Sequence, residues 1–133
     1  MTPSQIVAAE ACAHGADAEQ MSFPATLARL ADAGIEHYHA DLLRAEKTFY
    51  APGGSSHVVA GASVAVPFAR AFDPEGVVAA LRAIQRQEIG YRTFCDRIAA
   101  AGCTGYIVSL PGRRAVYWGR TGESYVEMFP PQD

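Results

Sequence analysis

The chain contains itself twice. Displaced by 68 positions without a gap, it pairs Arg29 with Arg97, Ala33 with Ala101, Gly34 with Gly102, Tyr38 with Tyr106 and Leu42 with Leu110. The match continues through Gly54 and Gly122, Ser56 and Ser124, and Val58 and Val126, with same-class pairs at Phe23 and Tyr91, Leu30 and Ile98, and Phe49 and Tyr117. Upstream, three extra residues in the first copy bring Thr2-Pro3 and Ile6 to Ala9 against Asp73-Pro74 and Val77 to Ala80. A repeat of this length is too long for the common solenoids, and two copies suit a closed domain with a pseudo-two-fold axis better than an open array. The alternative is chance similarity in an Ala- and Gly-rich chain. One domain, residues 1–133, is expected, with copy one at about 1–66 and copy two at about 72–130.

Each copy reads as helix, helix, strand, strand, strand. A Thr or Asp N-cap before a proline opens a helix at Pro3 and again at Pro74. In the latter, Val77, Val78, Leu81 and Ile84 form one apolar stripe. A second helix runs from about Pro24 to Ala33, with Leu27, Leu30 and Ala31 inward, and from about Arg92 to Ala101, with Phe94, Cys95, Ile98 and Ala99 inward. Gly34 and Gly102 stand where a helix asks for a left-handed residue. Period-two patterns follow near Ile35–Leu43 and Thr104–Leu110, Lys47–Ala51 and Ala115–Gly119, and His57–Val66 and Ser124–Phe129. The fold class is α+β: an antiparallel sheet of about six strands with helices packed on it.

Alternation sorts the strand residues into two faces. Tyr38, Ala40, Leu42, Tyr106, Val108 and Leu110 face the helices. If Arg44-Ala45 and Gly112-Arg113 are two-residue hairpin loops, Phe49 and Tyr117 join that core face. The other face then carries His37, His39, Asp41, Thr48 and Tyr50 from copy one against Gly105, Ile107, Ser109, Val116 and Trp118 from copy two. Polar chemistry is confined to copy one, so His37, His39, Asp41, Lys47, Tyr50 and Trp118 are the candidate ligand-binding residues. The competing reading is drift on a solvated sheet face. His37-x-His39-x-Asp41 offers metal-ligand types, but its outer members lie roughly 13 Å apart along a strand, too far to share one ion easily, and no metal is assigned.

Composition closes several routes. About half the residues are apolar, enough for an ordinary core. A net charge of −3 gives no long-range attraction for nucleic acid, and Arg113, Arg114 and Arg120 beside Tyr117, Trp118 and Tyr125 read as a solvated rim. Cys12, Cys95 and Cys103 contain no CxxC pair and read as buried, reduced thiols of a cytoplasmic protein. No run approaches 18 apolar residues and no signal-peptide pattern opens the chain, so neither membrane nor export is expected. The Gly53-Gly54 loop leads into a strand, unlike a phosphate cradle, and Gly61-Ala62-Ser63-Val64-Ala65 fails the nucleophile-elbow pattern. No cofactor is expected and no catalytic residue is assigned.

Met21-Ser22-Phe23-Pro24, Ala33-Gly34-Ile35-Glu36 with Tyr38, Asp41-Leu42, Lys47-Thr48-Phe49-Tyr50, Ala83-Ile84-Gln85 and Gly112-Arg113 together resemble a small bacterial family of unknown function. Some of its members are labelled phage envelope proteins. The resemblance spans about Met21 to Pro130 and implies no activity, cofactor or site residue. The chain lacks the export or membrane signals that an envelope role implies.

The expected function is a non-enzymatic binding or interaction module. Its ligand site is a groove between the repeats, near the pseudo-two-fold axis or against the His39, Asp41 and Tyr50 face. Expected partners are a small molecule and a second copy of the chain: the uncharged stretch around Val58–Val66 either buries both faces or forms a homodimer edge. The alternative is a small enzyme using His39, Asp41, Lys47 and Tyr50 for acid–base or metal-assisted chemistry, which requires these groups to converge within hydrogen-bond reach.

Overall fold

The computed structural model describes residues 1–130. Helix α1 (Pro3–Asp17) opens on a capping box in which the Thr2 hydroxyl accepts from the Gln5 amide and the Gln5 side chain accepts from the Thr2 amide. Helix α2 (Phe23–Ala33) is capped by Ser22 and ends on left-handed Gly34 at φ +79°. Strands β1 (His37–Asp41), β2 (Glu46–Tyr50) and β3 (Ser56–Ala60) complete the first unit. The second repeats it with α3 (Pro74–Gln85), α4 (Tyr91–Ala100), β4 (Cys103–Ser109), β5 (Arg114–Gly119) and β6 (Ser124–Met128). Asp73 stands at the N-cap of α3 without a side-chain hydrogen bond to the helix.

All six strands form one antiparallel sheet in the order β3-β2-β1-β4-β5-β6. The two repeats therefore meet at β1 and β4. His39 faces Ile107 across that pair, and Ile107 is also the residue that the duplication makes equivalent to His39. The pseudo-two-fold axis thus pierces the sheet between these two residues.

The helices cover one face only. Tyr38, Ala40, Phe49, Val59, Tyr106, Val108, Ala115 and Tyr117 point into the core, beneath Leu30, Val77, Phe94, Ile98 and the helical cysteines Cys12 and Cys95. Full burial of each large apolar side chain contributes about 1.5–3 kcal/mol. The aromatic centre is linked: the Tyr91 and Tyr106 hydroxyls hydrogen-bond at 2.7 Å, and the Tyr106 ring lies 5.0 Å from Tyr117. Both edge strands are tied to the first helix of their own repeat. Glu10 on α1 meets His57 on β3 at 3.1 Å, and Arg82 on α3 meets Glu127 on β6 at 2.6 Å.

Three expectations need correction. The hairpin loops are of four residues, 42–45 and 110–113, because Asp41 pairs with Glu46 and Ser109 with Arg114. The Asp41 carboxylate accepts from the Leu43 and Arg44 amides at 3.1 Å each, the Ser109 hydroxyl accepts from the Gly112 amide at 2.9 Å, and Ala45 and Arg113 take positive φ to close the turns. The shift moves pairing by two residues, which preserves the faces. The third strand stops at Ala60 rather than Val66: the Gly61 amide still bonds the opposing Ala45 carbonyl, but the Ala62 and Ala65 amides leave the ladder for the carboxylates of Asp17 and Asp96. On α2, Ala31 is exposed, and Thr26 instead is buried with Leu30.

Candidate functional site

Five of the six candidate residues stand on the sheet face that no helix covers. His37 stacks on Tyr50 with ring centroids 4.6 Å apart and planes 7° from parallel, and its Nδ1 lies 3.3 Å from Glu36. His39 leans on Trp118 at 5.1 Å. Trp118 lies over Gly105, where an added Cβ would come within 3.1 Å of the indole, so the glycine makes room for the ring. Asp41 accepts both hairpin-turn amides on a single carboxylate oxygen, Oδ1.

Lys47 leaves the face of the other five, although Asp41 also borders the cavity that Lys47 reaches. It pairs with core-facing Ala40 and so points to the helix-covered side, opposite His39, Asp41 and Tyr50. The four residues of the acid–base alternative do not converge, and one oxygen of Asp41, Oδ1, accepts both amides of the hairpin turn. Among the described residues, no group of three His, Cys, Asp or Glu side chains comes together in a way that could hold a metal ion.

What the open face does possess is continuity. Register alone defines an unbroken cross-strand row, Val58–Thr48–His39–Ile107–Val116–Val126, spanning all six strands. Each half of the row is the duplicate of the other, reversed about the axis. Val58 and Val126, at opposite edges of the sheet, remain 50% and 44% exposed, and Met128, two residues beyond Val126 on β6, 54%.

On the helix side, Lys47 reaches a cavity of about 120 Å³ between the two repeats. Its walls come from α1 (Ala13, Asp17), β1 and β2 (Ala40, Lys47), the segment 61–65, and α4 of the second repeat (Tyr91, Cys95, Asp96). Two aspartates pin the segment as a strap: Asp17 accepts from the Ala62 amide at 3.0 Å and Asp96 from the Ala65 amide at 2.8 Å. The lysine ammonium sits 4.3 Å above the Tyr91 ring centroid and 5.9 Å from that of Tyr38.

Desolvation by burial lowers the Lys47 pKa, against the opposing charges of Cys95, Asp17 and Cys12. Burial likewise pushes the Cys95 thiol up to about 11 and raises Cys12, so both are uncharged at neutral pH and neither is an activated nucleophile. Tyr91, Cys95, Asp17, Asp96 and the strap were not among the sequence candidates. One signal was present for Lys47 itself: it is two residues from core-facing Phe49, and its duplicate is Ala115, which is 2% exposed.

No helix among the described residues is long and apolar enough to cross a membrane. No curated protein matches the chain. A family model described as a protein of unknown function (DUF1398) matches residues 11–127, which takes in both repeats from within α1 to the end of β6, and the chain belongs to that family.

Proposed function

We propose that the chain is a non-enzymatic cytoplasmic interaction module that docks a second copy of itself on the open face of its sheet. The observation that carries this reading is the Val58–Val126 row, which crosses every strand on the one face without helices and is apolar at four of its six positions, Thr48 and His39 being the exceptions. Because the row is its own duplicate reversed, it presents a valine at each end and is self-complementary, as an isologous contact requires. Trp118 and Tyr50 flank it with the large amphipathic rings that protein interfaces favour. Three buried free cysteines accord with a reducing compartment.

Size sets the strength. Six strands about 4.8 Å apart, with the five-residue length of four of them rising about 3.3 Å per residue, give a footprint of about 480 Å² per partner. Doubled, this falls below the range of about 1,200–2,000 Å² for stable complexes, so the association is of the transient class. Sedimentation of the wild-type chain is expected to show a concentration-dependent dimer, and Val126→Glu, which places a charge in the row without touching the core, a monomer with unchanged circular dichroism. A wild-type chain that stays monomeric throughout the micromolar range would sink the proposal.

A further inference from the structure

Lys47 is the chain's only lysine, every other basic side chain apart from histidine being arginine. It is also the one residue at which the duplicated core turns cationic, since its counterpart Ala115 is an ordinary core residue. Among the described residues no hydrogen bond or ion pair engages its amine. No fully buried polar side-chain atom in the described structure lacks a partner, so the Lys47 Nζ retains access to open space, and the cavity beneath the 61–65 strap lies where it points.

We propose that Lys47 is a reactive amine that binds small, uncharged aldehydes or ketones reversibly as an imine inside this cavity. The neutral Nζ adds to the carbonyl carbon to give a carbinolamine. Loss of water then carries off the carbonyl oxygen with the two amine hydrogens and leaves a carbon–nitrogen double bond. No oxidant, reductant or further reactant enters. Desolvation raises the neutral fraction that addition requires, as in enzymes that form Schiff bases on buried lysines. The volume of about 120 Å³ is below the roughly 150 Å³ that admits benzene, which selects carbonyl compounds of about four or five heavy atoms. The carboxylates of Asp17, Asp41, Glu46 and Asp96 against a single nearby arginine, Arg92, disfavour an anionic ligand. This site lies across the sheet from the docking row, so it can fail or hold independently of self-association.

The test uses the full chain with propanal and sodium cyanoborohydride, which traps an imine as a stable secondary amine, followed by peptide mapping of the one lysine. At pH 7 the folded protein is expected to alkylate at Lys47 at least about tenfold faster than the same chain unfolded in urea, where the lysine has its ordinary pKa of about 10.4. The folded rate should level off at a lower pH than the unfolded one. A naphthaldehyde, too large for the cavity, should show the reverse preference and label only the unfolded chain. Lys47→Met should keep the far-ultraviolet spectrum and lose the adduct. A folded rate no higher than the unfolded rate, or equal labelling by both aldehydes, would overturn the proposal.

Discussion

Gly34 and Gly102 occupy equivalent positions of the two repeats and share a left-handed backbone, φ +79° and +86°. Their surroundings differ. A Cβ at Gly34 would meet only the end of the flexible Gln5 side chain at 3.5 Å, whereas one at Gly102 would collide with the backbone carbonyl of Ala71. Gly34→Ala is therefore expected to cost only the left-handed penalty, about 1–2 kcal/mol, and Gly102→Ala at least twice as much. Urea denaturation of the two variants decides this, and equal losses would mean that the segment carrying Ala71 yields freely. Both glycines were legible from the sequence because a helix C-terminus before a strand asks for one, but the unequal crowding was not, since it depends on where residue 71 crosses. Lys47 shows the same limit differently. The period-two rule separates it from Thr48 and Tyr50, yet residue type alone groups a lysine with the polar face, and only the pairing with Ala40 puts it on the other side.

At the level of elements, order and faces could be read from the pattern, whereas hairpin length could not. Asp41 and Ser109 close four-residue turns through their own side chains, with Ala45 and Arg113 in a left-handed conformation that carries no compositional mark. The third strand was read as six residues too long at its far end for a related reason. The amides of Ala62 and Ala65 find acceptors in Asp17 and Asp96, residues 45 and 31 positions away, and an apolar stretch does not reveal such distant partners. The strap should accordingly be a local unit that opens without global unfolding. Asp96→Ala removes a charged acceptor, and hydrogen bonds to charged groups contribute about 1.5–3 kcal/mol. Amide exchange measured by mass spectrometry over residues 61–66 is expected to accelerate at least about tenfold, with β4 and β5 unchanged. Acceleration spread evenly over the sheet would show instead that Asp96 supports the whole fold.

For the whole molecule, the duplication and the register converge on one geometric statement: a pseudo-two-fold axis runs between His39 and Ile107, and the two repeats are joined there by strands β1 and β4. Neither half buries its own central strand edge. Copy two has the more uniform core, with Ala115 where copy one has Lys47, and its central strand pairs in the intact protein with a segment of the same parity. A fragment of residues 67–130 should therefore be unable to fold as a monomer, but able to replace the missing repeat with a second copy of itself. The pseudo-symmetry would become exact, with β4 antiparallel to β4 and Ile107 opposite Ile107. The one misfit is in the core row, where Tyr106 would face Val108 on both sides, whereas in the intact chain Tyr106 faces the smaller Ala40. Such overpacking costs roughly 1–3 kcal/mol. Val108→Ala should relieve it and tighten the fragment dimer, although the same substitution leaves a cavity and weakens the intact protein. Sedimentation and circular dichroism of the fragment, with and without Val108→Ala, would reveal this opposite response. A fragment that folds as a monomer would show that each repeat carries a sufficient core and that the central strand pair is a contact between two finished units.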